Sequence, residues 1–118
     1  MDAKDFRAKL VKIMPGYSWT VHRAGKGATK LTATGTQSSG FNRLSTLEVT
    51  YSRTEKGDWF TARSAGFGLR ARWLHENGDI TLARALRGLQ DHYQQMANTY
   101  RGHAQALQDA RTVLEAAA

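Results

Sequence analysis

Between Arg63 and Arg87 the chain sets arginines among large aromatics: Arg63, Arg70 and Arg72 flank Phe67 and Trp73, and Arg84 and Arg87 follow. Arg43, beside Phe41, and Lys30 are secondary members of the same basic group. The planar guanidinium fork suits phosphate better than an ammonium does. A ring beside it can stack a base, which is how proteins hold single-stranded nucleic acid. The competing reading is that Phe67 and Trp73 plug the open end of a core while the arginines are simply hydrated.

Other chemistry finds less support in the residue pattern. The four histidines, His22, His75, His92 and His103, have no nucleophile elbow near them, and Ser38-Ser39-Gly40 is a short polar run. His75-Glu76 with Asp79 could offer two or three metal ligands, but a helix start with an acidic cap contains the same residues. His92 and His103 share a helix face about 16 Å apart, too far for one ion. Gly25-Lys26-Gly27 and the stretch 34–40 match neither a P-loop nor a dinucleotide fingerprint. With no cysteine, thiolate metal sites and disulfides are excluded. A non-catalytic protein without cofactor or metal is therefore expected, with a small hydrolase using His75 and Glu76 as a distant alternative.

Seventeen basic against ten acidic residues leave a net charge of +7. Residues 1–60 contribute +5, residues 61–101 +3 and the tail −1, so the charge belongs to the body rather than to a basic arm. Eleven of the seventeen cations are arginine. Such a surface should attract a polyanion, nucleic acid first and an acidic protein or ribonucleoprotein surface second. No apolar run is long enough to span a bilayer, and MDAKDFRAKL lacks the apolar stretch of a signal peptide, so a cytoplasmic protein with no membrane partner is expected.

These residues need elements to hold them, and 118 residues make one domain. Ala3, Phe6, Leu10, Ile13 and Met14 space out one apolar face of a helix over 3–14, capped by Asp2 and stopped by Pro15-Gly16. Period-two alternation then predicts strands at 17–23, 29–36, 45–53 and 59–64, joined as two hairpins into a four-stranded antiparallel sheet. Leu47, Val49 and Tyr51 should point inward. Thr20, His22, Lys30, Thr32, Thr34, Thr46, Glu48 and Thr50 should make a polar outer face. Residues 65–79, with three glycines, read as a long ordered loop.

From Leu82 onward, Leu86, Leu89, Tyr93, Met96, Tyr100, His103, Leu107, Ala110 and Leu114 recur at alternating spacings of three and four, with Asp79 a candidate cap. Run straight, 80–115 would span roughly 54 Å. Two solutions are open: a break at Gly102 that folds a second helix back, or a projection that pairs with a second chain as a homodimer through 80–116. The favoured picture packs 80–101 across the sheet and leaves 103–116 as a separate, less anchored helix.

The fold class is thus α+β. In outline the order of elements compares with double-stranded-RNA-binding domains and with single-strand-binding coactivator folds. The Lys-Lys-x-Ala-Lys opening of the last helix in the former is absent here, where Thr81-Leu82-Ala83-Arg84-Ala85-Leu86-Arg87 stands, so no family is assigned. The expected function is binding of DNA or RNA through the arginine-rich surface. The main alternative is a small accessory or inhibitory protein of a mobile genetic element, anti-CRISPR-like, docking on a larger host protein or ribonucleoprotein complex.

Overall fold

A computed structural model describes residues 1–24, 29–39, 42–66 and 70–117. The order is α1 (Ala3–Ile13), β1 (Ser18–Val21), β2 (Lys30–Ser39), β3 (Asn42–Thr54), β4 (Gly57–Ala65), β5 (Trp73–Asp79) and α2 (Leu82–Ala117). The five strands form an antiparallel meander in sequence order, β1-β2-β3-β4-β5. The chain is α+β as its pattern predicts, with five strands in place of four.

Asp2 caps α1 by accepting the Asp5 amide at 2.8 Å, and Phe6 and Leu10 are fully buried on the predicted apolar face. Alternation along the strands sends Trp19, Ala33, Leu47, Val49, Tyr51, Phe60 and Ala62 to the same side. There they form one core with Phe6 and Leu10 of α1 and with Leu82, Ala85, Leu86 and Leu89 of α2. Both helices therefore cover one face of the sheet, α1 over β1 and β2, α2 over β4 and β5.

Four expectations are corrected. The segment 65–79 is not all loop, because 73–79 pairs with β4 from Phe60↔Asp79 to Ala65↔Trp73, with a register shift at Ser64/Ala65. WLHENGD has no β-branched residue and ends in turn formers, so local propensity argues against a strand. Tertiary partners override it: Asn77 donates to the Ala85 carbonyl of α2 at 3.0 Å, and His75 stacks on His92 with ring centroids 3.4 Å apart.

Helix α2 also does not break at Gly102. It runs unbroken to Ala117, and Gly102 faces open space. One exposed glycine costs a helix about 1 kcal/mol relative to alanine, too little to end it. Nor does 80–101 lie across the sheet: only the part up to Tyr93 packs, and every residue from Gln94 to Thr112 is exposed. The molecule is accordingly long, 73 Å in its greatest extent with a radius of gyration of 19.2 Å. A compact chain of this length would have about 13 Å. Finally, Thr81 rather than Asp79 caps α2, its hydroxyl accepting the Arg84 amide at 3.2 Å. Asp79 instead accepts the Ile80 amide and pairs with Arg84.

Candidate functional site

The face of the sheet turned away from the helices carries most of the candidate residues. The pairing aligns its side chains in rows that cross the strands. One row runs Thr20, Thr34, Glu48, Arg63, Glu76, and the next runs Ser18, Thr36, Thr46, Ala65, Trp73. On the other side of the first lies Thr32, Thr50, Thr61, Gly78, followed by Lys30, Ser52, Trp59. His22 lies at the β1 edge, its Nε2 within 2.6 Å of the Thr34 hydroxyl. The predicted threonine-rich outer face is thus present, and hydroxyls occupy most of its middle.

Two tryptophans stand at opposite corners of the β4–β5 half. Trp73 is 40% exposed, and the Arg63 guanidinium carbon lies 4.1 Å from its ring centroid. Arg63 is held from the other side by Glu48, with Nη2 2.7 Å and Nε 3.0 Å from Oε1. The cation lies in a clamp between carboxylate and ring, which fixes the indole by cation–π attraction. Because Glu48 offsets its charge, Arg63 serves better as the support of Trp73 than as a phosphate ligand. Trp59 is 42% exposed, and its ring lies over Gly78 so closely that a Cβ there would stand 2.7 Å from Cζ2. Glycine at 78 is what lets the indole lie flat on the sheet. Trp59 and Trp73 sit about six strand residues apart, roughly 20 Å at 3.3 Å per residue.

The remaining predicted residues separate into groups. Arg70 and Arg72 are exposed, directly precede Trp73, and form no ion pair among the described residues. Their place in the chain puts them with Arg63 and Trp73 in one group at the end of the sheet that holds the β2–β3 and β4–β5 connections. The Arg43 backbone, opposite Ser38, reaches the same end, while its side chain and all of Phe67 lie outside the described residues. Arg84 and Arg87 are exposed on the first turns of α2, beyond the opposite end of β5 and in the helix layer, so they do not join the cluster. Lys30 lies on the open face but across the sheet, in the row of Trp59. Trp59 was missing from the predicted set although its signal was present: residues 59, 61 and 63 share a parity, so a strand that points Arg63 outward points Trp59 outward too.

His75 and Glu76 fall on opposite faces of β5, His75 against His92 and Glu76 beside Arg63, so they cannot close on one metal ion. Among the described residues no group of three metal-ligating side chains converges. A cleft of about 400 Å³ opens on the helix side between Met14 and α2, floored by Leu47, Leu86 and Leu89. Its polar groups are the paired hydroxyls of Tyr17 with Ser45 at 2.8 Å and of Ser64 with Tyr93, together with the amides of Gln90 and Gln94 at its rim. Among the described residues no charged side chain lines it, so it offers a polyanion no cation. No helix among the described residues is long and apolar enough to cross a membrane. No protein-family model, curated protein or solved structure matches this chain.

Proposed function

We propose that the protein is a non-catalytic nucleic-acid-binding protein that holds a single strand of DNA or RNA across the open face of its sheet. Trp73 stacks one base on the indole face that Arg63 leaves uncovered, and Trp59 stacks another farther along the strand. Arg70 and Arg72 contact phosphates beside Trp73, with Arg43 at the same end and Lys30 beside Trp59. Threonine hydroxyls between the platforms can donate to or accept from sugar and base edges without preferring a sequence. The single observation that carries this reading is the half-exposed Trp73 held by a clamped arginine, with two arginines beside it in the chain that form no ion pair among the described residues.

Fluorescence anisotropy with labelled single-stranded DNA, single-stranded RNA and duplex DNA, each at two salt concentrations, tests it. About three phosphate contacts give a log–log salt slope near −2 for a single strand, or roughly a 20-fold loss of affinity between 50 and 200 mM salt. Trp73→Ala should weaken single-strand binding by about 1–3 kcal/mol without changing that slope, whereas neutralising Arg70 and Arg72 should flatten it. Absence of binding at low salt, or equal binding by the Trp73→Ala variant, sinks the reading. The arginine cluster would then be assigned to an acidic protein surface.

A further inference from the structure

The packed and the exposed parts of α2 carry one continuous seam. Leu82, Leu86, Leu89 and Tyr93 turn it toward the sheet, and Met96, Tyr100, His103 and Leu107 continue the same spacing beyond the sheet's end. Tyr100 is 64% and Leu107 70% exposed. The positions flanking the seam are small, with Ala97, Thr99, Ala104 and Ala106 on its two sides, while Gln94, Gln95, Asn98, Arg101, Gln105, Gln108 and Asp109 occupy the far side. A stripe bordered by alanines lets another helix approach closely.

We infer that this stripe binds a second copy of the chain, and that the two α2 helices pair antiparallel. The sheet settles the direction. It already occupies the seam at 82–93, so a parallel partner helix would have to thread its own residues 82–93 through space the sheet fills. An antiparallel partner meets only the free stretch, and its C-terminal end arrives beside Tyr93, at the mouth of the cleft between α1 and α2.

The register agrees. Antiparallel seams layer each position of one heptad class against the other class of the partner. Here that sets Tyr100 against Ala110 and His103 against Leu107, a large residue against a smaller one in the first layer, with the twofold axis at Gln105. The free stretch from Gln94 to Ala117 is centred on the same point, so the register that forms these layers also covers the stretch from end to end. A parallel pairing would instead confront Tyr100 with Tyr100 and His103 with His103. A third of the accessible surface of a helix about 36 Å long is roughly 500 Å². Two copies therefore bury about 1,000 Å², the threshold for a specific interface, before the partner's helix end is counted. The dimer should be concentration-dependent.

This inference stands independently of nucleic-acid binding. Light scattering after size exclusion, over a concentration series, should give twice 13.1 kDa at high concentration, and Leu107→Asp should return the mass to 13.1 kDa. Leu107 is far from the core, so an unchanged far-ultraviolet strand signal confirms that the body remains folded. Since the chain has no cysteine, single thiols report orientation cleanly. Ala104→Cys lies near its own mate across the proposed axis and should be joined by a short thiol-to-thiol cross-linker. Ala110→Cys lies about ten residues, roughly 15 Å, from its mate and should not react with itself. A monomer mass at every concentration, self-cross-linking of Ala110→Cys, or failure of Ala104→Cys to cross-link overturns the proposal.

Discussion

The two halves of α2 share one apolar period and have opposite surroundings. From Leu82 to Tyr93 the stripe meets the sheet, burying Leu82, Ala85, Leu86 and Leu89, and the glycine in this half, Gly88, has a steric purpose against β5. A Cβ at Gly88 would land on the side-chain amide of Asn77, the group that donates to the Ala85 carbonyl. From Gln94 to Thr112 the stripe meets nothing within the chain, and Gly102 has open space around it. Periodicity alone thus specifies a face but not whether that face is covered by the same molecule. The packed half derives its stability from burial, whereas the free half has backbone hydrogen bonds, helix propensity and surface side-chain hydrogen bonds such as those Gln94 donates to Asn98 and Gln105 to Asp109.

The sharpest way to separate the halves is to delete the same atoms in each. Leu89→Ala should cost about 2–5 kcal/mol of unfolding free energy, measured by denaturant titration, because it leaves a cavity under a buried seam. Leu107→Ala, measured at a concentration where the chain is monomeric, should change it by less than about 0.5 kcal/mol. Equal costs at the two sites would mean that the free half is packed in solution.

Tyr51 probes the body alone. Its hydroxyl donates to Asp58 at 2.7 Å, and that hydrogen bond, with burial and the Asp58 charge adding to it, raises the phenol above its ordinary value of 10.0. A raised phenol favours the neutral, protonated form in the folded chain. Its contribution is complete below about pH 10 and is lost as pH rises through the folded value. Tyr51→Phe should therefore lower stability at neutral pH by about 1.5–3 kcal/mol, as expected for a hydrogen bond to a charged acceptor. It should also flatten the alkaline decline. A variant with an unchanged alkaline limb would assign that decline elsewhere.

The two glycines give smaller effects than Leu89 or Tyr51, with opposite signs. Gly88→Ala should destabilise by about 1–3 kcal/mol, since either Asn77 or the helix must move. Gly102→Ala should stabilise the free half by about 1 kcal/mol, seen as increased helicity by circular dichroism at high temperature. If both substitutions stabilised, the contact of α2 with β5 would be looser than the Asn77 hydrogen bond implies.

Much of the sheet was legible because alternation is a local signal: Leu47, Val49 and Tyr51 inward, Thr46, Glu48 and Thr50 outward, with neither assignment needing knowledge of the neighbours. The fifth strand was not legible. His75 and Asn77 face α2 for contacts made with His92 and Ala85, farther along the chain, and apart from Trp73 no residue of 73–79 favours a strand by itself. The candidate site was half legible for the same reason. Arg70, Arg72 and Trp73 are neighbours in sequence, so their proximity could be read directly. That Arg63 is clamped by Glu48, that Trp59 shares the face, and that Arg84 and Arg87 belong to another part of the molecule all depend on strand pairing.

By itself, then, the order of residues determined the α+β class, the first helix with its Asp2 cap, which strand residues turn inward, the unbroken apolar period of α2 and the excess of arginine. Each of these follows from side-chain spacing against a fixed backbone repeat, or from counting charges. Tertiary structure decided that 73–79 would be a strand, that α2 would leave the sheet at Tyr93, and which arginines share a surface with an exposed indole. Those outcomes depend on contacts between residues distant in the chain, whose energies exceed the local preferences opposing them.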